Sequence, residues 1–129
     1  MQPLKTIILL FIGGGIGANL RYWLSGFVSE RLSSYFPWGT MIVNISGSLA
    51  IGVIMGIIIS TDVSSDWRKF LVFGLLGGYT TFSTFSYETL NLLQEKSYLL
   101  ALANIFISVG LCLFAVYVGL IISRSFVGG

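Results

Sequence analysis

Histidine is missing from this 129-residue sequence, cysteine occurs once, proline twice, and acidic side chains number only five. Each shortage excludes something. Without an imidazole there is no Ser–His hydrolytic pair and no histidine proton relay, so enzymatic readings fall sharply. The lone Cys112 rules out an internal disulfide and leaves no cysteine cluster for a metal. Charged residues make up 9% of the chain, too few to cover a globule of this size in water. The formal net charge of +2 comes from basic residues scattered near the ends of apolar runs. Membrane lipid headgroups are their expected neighbours, and no nucleic-acid partner is expected.

What the sequence has in abundance is apolar length. Hydrophobic residues make up 55% and the mean hydropathy is +0.91. A helix crossing the hydrocarbon needs about 20 predominantly apolar residues. Four stretches meet that length: Leu4 to Val28, Trp38 to Ser60, Phe70 to Leu93 and Tyr98 to Ile122. They predict an all-α, multi-pass protein of the cell inner membrane, with residues 1–129 forming a single four-span domain. The connections at 29–37, 61–69 and 94–97 carry turn punctuation. Lys5 precedes the apolar run Ile7 to Ile12, but no small-residue cleavage site follows, so the first span is expected to be retained.

Four spans put both termini and the second loop on one side, where the basic residues are Lys5, Arg68, Lys69 and Arg124. The opposite side has Arg31 and Lys96, with Arg21 as a third if its side chain reaches outward. Four against three gives the charge rule for orientation little to act on. Insertion in both orientations, and antiparallel pairing of the chain with a second copy of itself, is the expectation. The two halves show no internal repeat, so any symmetry must come from that second copy. Small residues recur four apart at Gly13 and Gly17, at Ser48, Gly52 and Gly56, and at Gly74 and Gly78. In lipid such stripes let helix backbones approach closely.

Polar lines run through three of the spans. Residues three or four apart share a helix face, which groups Thr40, Asn44 and Ser48, then Thr81, Thr84 and Glu88, then Asn104, Ser108 and Cys112. Any one hydroxyl is ordinary interhelical glue, worth about 0.6 kcal/mol. Three such lines in one bundle, made of neutral hydroxyl and amide donors, suit an anion. A cation path would instead show rings of carboxylates, and Glu88 alone is available. Phe82 and Phe85 point the same way, with electropositive ring edges that can border an anion. Arg21, late in the first span, is either a headgroup anchor or a source of positive potential in a vestibule.

The most informative segment is Gly77-Gly78-Tyr79-Thr80-Thr81-Phe82-Ser83-Thr84-Phe85-Ser86. Glycines and hydroxyls at membrane depth are tolerated where protein packs around them or water fills a cavity. Together with Trp38-Gly39-Thr40-Met41-Ile42-Val43-Asn44 and Gly17-Ala18-Asn19-Leu20-Arg21-Tyr22, it resembles the CrcB/Fluc family of microbial fluoride channels, over essentially the whole chain. The resemblance implies a third helix broken mid-membrane and an antiparallel, dual-topology homodimer. It also implies two pathways per dimer that export fluoride passively. By that likeness Phe82 and Phe85 form an aromatic lining and Asn44 a pore amide, with Glu88, Asn104 and Ser108 along the track; the polar residues themselves add Thr40, Ser83, Thr84 and Arg21 to the expected pathway. The same likeness implies that Gly77 and Thr80 donate backbone carbonyls to a structural Na+ at the dimer centre. At the place aligned with Asn104 some relatives carry tyrosine, and at that of Cys112 serine.

Two other classes are weighed against this. A small dual-topology, proton-coupled exporter of cationic compounds needs a titratable carboxylate deep in the membrane, and the first span has none. A non-transporting membrane scaffold would be indifferent to substitution of Asn44, Phe82 and Phe85.

Overall fold

The computed structural model describes residues 2–128. They form helices joined by short connections. Helix α1 spans Gln2–Arg31 and α2 spans Trp38–Ser60. The third span is in two pieces. Its first piece, α3, is a continuous rod built from Ser65–Arg68, Lys69–Leu76 and Gly77–Tyr79. Its second, α4, spans Phe82–Gln94, and α5 spans Tyr98–Val127. Helix α2 coincides with its apolar stretch, whereas α1 overruns its stretch at both ends, the third span overruns at both ends, and α5 overruns at its C-terminal end. Helix α3 starts at Ser65 because Ser64 Oγ accepts from Trp67 N.

Three of these helices, α1, α2 and α5, are long and apolar enough to cross a membrane alone. The third span is bent at its break and needs both pieces to cross. The middle of α3, Lys69–Leu76, is wound with wide i→i+5 turns, a rare form concentrated at functional places.

The interior reverses that of a water-soluble protein. Large apolar side chains such as Phe11, Trp23, Leu99, Phe106 and Leu113 are exposed on the outside, where lipid is as apolar as they are. Many buried positions are small or polar: Gly13, Gly17, Gly47, Gly52 and Gly56, with Thr40, Thr89, Asn104, Ser108 and Ser123, beside a few apolar ones such as Val43, Leu76, Phe85 and Leu92. With no hydrophobic drive between helices in lipid, close backbone approach and hydrogen bonds must hold the bundle. The most extensive contacts pair α2 with α5 and α1 with α3. In the first pair, a Cβ on Gly52 would lie 3.0 Å from Gly119 Cα. In the second, a Cβ on Gly13 would lie 2.8 Å from the Phe70 carbonyl oxygen and one on Gly78 would lie 2.6 Å from that of Gly14. Helix α4 touches mainly α5.

Contacts at the two ends of the bundle complete the packing. The Lys5 ammonium pairs with Asp66 at 2.5 Å and Lys69 Nζ donates to Thr6 Oγ1 at 3.0 Å, tying the start of α1 to the start of α3. At the other end the Tyr35 and Ser97 hydroxyls bond to each other, joining two loops. Helix α4 closes there with Lys96 in the left-handed region at φ 61°, where Lys96 N donates to the Leu93 carbonyl and Ser97 N to that of Leu92. That pair of bonds is a Schellman cap, usually built on glycine.

Candidate functional site

The break between α3 and α4 is two residues long. Thr80 (φ −84°, ψ 157°) and Thr81 (φ −149°, ψ 118°) are extended and interrupt the helical ladder. Side chains take over the bonds the ladder loses. Thr81 N donates to Asn44 Oδ1 at 2.8 Å and Asn44 Nδ2 donates to the Thr81 carbonyl at 3.0 Å, so one α2 amide grips both sides of one peptide residue. Thr81 Oγ1 accepts from Thr84 N at 3.2 Å, which starts α4 with a threonine N-cap.

These substitutions have a consequence for the carbonyls of the first piece. In an unbroken helix the Gly77 oxygen would accept from Thr81 N and the Thr80 oxygen from Thr84 N. Both donors are engaged elsewhere, on Asn44 and on the Thr81 hydroxyl. Gly77 and Thr80 therefore lose their helical partners at the negative end of α3. The Gly78 carbonyl is met differently: Arg21 Nε donates to it at 3.1 Å. Close packing brings Arg21 there, since a Cβ on Gly17, one turn earlier in α1, would lie 2.8 Å from Tyr79 N. The Tyr79 ring turns towards α2, its hydroxyl 2.8 Å from that of Ser46.

A groove of about 430 Å³ opens beside the break. Its wall includes Asn44 and Ser48 of α2, Phe82 and Phe85 of α4, and Ser108 and Cys112 of α5, with Gly77, Thr80 and Thr81 at the break itself. The two phenylalanine rings lie 5.5 Å apart, centroid to centroid, tilted by 44°. Phe85 is buried, while Phe82 is 75% exposed and stands at the open flank of the single chain.

Of the residues expected at the site, Asn44, Phe82, Phe85, Ser108, Gly77 and Thr80 share this groove. The others do not line it. Half-buried Arg21 bonds the back of the break through its Nε and does not line the groove. With Arg21 drawn inward, the loop basic residues stand at four against two. Asn104 is 1% exposed, and both ends of its amide are bonded, to Thr89 and to Ser108. Thr84 and Ser83 cluster on the Thr81 hydroxyl at 3.1 and 3.4 Å. Thr40 is buried and faces Glu88, whose Oε1 is buried without a hydrogen-bond partner among the described residues.

The helical-spacing rule misses the capping role of Thr81 and misses Thr89 altogether. Thr81-x-x-Thr84 has the spacing of an N-cap, a signal that could have located the start of α4. Thr89 is a single hydroxyl amid many, and nothing local links it to Asn104, which it meets across two helices.

Comparison with known proteins adds a separate line. A family model described as "CrcB-like protein, Camphor Resistance (CrcB)" matches residues 8–120. Curated proteins named "Fluoride-specific ion channel FluC" are similar along nearly their whole length. The one from Rhodospirillum rubrum is 45% identical over 118 residues, covering 88% of this chain and 91% of its own. Those from Pyrococcus abyssi and Pyrococcus horikoshii are 46% and 47% identical, covering 94% and 93% of this chain and 98% and 97% of theirs.

Proposed function

This chain belongs to the CrcB-like family, and from that premise we propose that it is a fluoride-selective channel that lets fluoride leave the cell passively. It is a membrane channel and not an enzyme. The observation that carries the proposal is the groove, where two phenylalanine rings, an amide and a hydroxyl converge beside a broken helix.

Fluoride is compact and strongly hydrated, so a path must replace its water with groups at close range. Asn44 uses one Nδ2 proton on Thr81 and keeps the second for an ion. Phe82 and Phe85 offer ring edges, which attract an anion without binding it so tightly that it cannot leave. Ser108 adds a hydroxyl oxygen on the α5 wall. Thr40 with Glu88, and Ser83 with Thr84, border the way out along α4. Arg21 and Asn104 support the path from behind. Chloride, being larger, loses its water without making equally short contacts, so it is rejected on size.

A single bundle leaves the groove open on its flank, with Phe82 largely uncovered. A second copy, inserted antiparallel, closes that flank and repeats the groove, giving two paths per homodimer. The loop-charge difference of four against two is small enough for both orientations. The Gly77 and Thr80 carbonyls, deprived of helical donors, are hard oxygen ligands that fit a structural Na+. Bound there, the ion supplies positive charge against the negative end of α3.

The test is ion release from liposomes loaded separately with fluoride and with chloride. Fluoride efflux is expected to be fast and chloride efflux negligible, and Phe82→Ile or Phe85→Ile lowers fluoride efflux by about tenfold or more, the loss of one favourable contact. Chloride efflux comparable to that of fluoride rejects the size argument.

A further inference from the structure

Side chains of α4 and α5 form one unbroken hydrogen-bond chain. Thr89 Oγ1 donates to the Phe85 carbonyl at 2.8 Å, Asn104 Nδ2 donates to Thr89 Oγ1 at 2.9 Å, and Ser108 Oγ donates to Asn104 Oδ1 at 3.1 Å. A hydroxyl carries a single proton, so each link dictates the next. With its proton on Phe85, the Thr89 oxygen can only accept, and Asn104 must turn its NH2 towards Thr89. The amide oxygen is then left facing Ser108 and takes the Ser108 proton. Asn104 and Ser108 are 1% and 4% exposed, and the chain surfaces at Ser108, in the wall of the groove.

We infer that Thr89 and Asn104 are positioning residues that set the hydrogen-bond polarity of Ser108, so that the groove meets its lone pairs and not its proton. The inference rests on the fluoride-channel reading of the same groove. A lone pair repels bare fluoride and accepts a hydrogen bond from water. At Ser108 the anion is therefore contacted through a water, and the α5 side of the groove receives it still partly hydrated. Direct contact requires the chain to reverse. Thr89 then donates to Asn104 Oδ1, Asn104 Nδ2 donates to Ser108, and Ser108 donates to fluoride. Three hydrogen bonds are replaced by three. Every proton stays on its own atom, since only two hydroxyls rotate and one amide turns over.

Single-channel current recorded against fluoride concentration tests the assignment. Thr89→Val removes the acceptor that orients Asn104, so the NH2 turns to Ser108 and the Ser108 proton is freed for the groove. The fluoride concentration giving half-maximal current is expected to fall about tenfold, equivalent to ~1.4 kcal/mol. In a Ser108→Ala background the same substitution shifts it by less than about twofold, because the effect acts through Ser108. Thr89→Ser, which keeps the hydroxyl, restores wild-type behaviour. Should Thr89→Val not assemble, Asn104→Leu breaks the chain from the other side and carries the same dependence on Ser108. A packing role alone reduces assembled protein equally in both backgrounds and leaves the half-maximal concentration unmoved. Equal shifts with and without Ser108, or no shift in either, overturn the inference while the channel reading stands. A wild-type protein that passes no fluoride overturns both.

Discussion

Helices α3 and α4 are two pieces of one span, yet they are held by opposite means. Helix α3 lies backbone to backbone on α1, with Gly13, Gly17, Gly74 and Gly78 at the contact and Arg21 bonded to its last turn. Helix α4 touches mainly α5 and is held there by side chains, through the Thr89–Asn104 bond and the buried Phe85 and Leu92. A contact made of backbone has no rotamers to exchange, whereas one made of hydroxyls and an amide can reverse. On the proposed reading, the clamped piece ends at the carbonyls assigned to the sodium site, and the piece held by side chains carries the phenylalanines and polar groups assigned to the fluoride path.

Breaking the clamp gives the largest expected effect. In Gly17→Ala the new Cβ would lie 2.8 Å from Tyr79 N and 3.1 Å from Gly78 C, backbone atoms that cannot step aside. A loss of about 3 kcal/mol is expected, the upper part of the overpacking range. Gly15→Ala, with nothing within 4 Å, is the control, changing stability by no more than about 1 kcal/mol and in the favourable direction. Thermal loss of monodisperse protein in detergent reads both, and equal midpoints for the two variants would remove the clamp from the comparison.

The link between the two pieces comes next. Asn44→Leu leaves the Thr81 N–H and carbonyl without their partner, which costs about 2–3 kcal/mol for the stranded backbone groups. The same substitution is expected to lower fluoride efflux from liposomes, because the break loses its shape. Full flux with unchanged stability would show that the extended Thr80–Thr81 segment holds itself.

The smallest effect sharpens the comparison at the far end of α4. Lys96 sits at φ 61° in the cap, a conformation that costs a side-chain-bearing residue about 1 kcal/mol and glycine almost nothing. Lys96→Gly is therefore expected to raise stability by about that amount, measured as the thermal midpoint, with fluoride flux retained. A lower midpoint would mean that the lysine side chain, and not the cap backbone, matters there.

Much of this protein is legible in its residues alone. The apolar runs indicate an all-helical membrane bundle, and Gly77 to Ser86 marks the weak place in the third span. The break itself falls at Thr80–Thr81 and not at the glycines, because Asn44 and the Thr81 hydroxyl capture the N–H groups that a helix would have used. Position along the chain leaves Arg21 open between an anchor and a vestibule charge, and it becomes a carbonyl ligand only because Gly17 packs on Gly78 and Tyr79. Spacing places Asn104 in a polar line, and its burial against Thr89 turns it from the lining into support for it.

Hydropathy, small-residue spacing and turn chemistry add up locally along the chain, so they determined the helices, their number and the medium they live in. Which donor meets which acceptor depends on how helices distant in sequence cross, to within about 3 Å. That precision comes only from tertiary packing, which decided that one amide grips the break, that another is sealed behind the groove, and which way the Ser108 proton points.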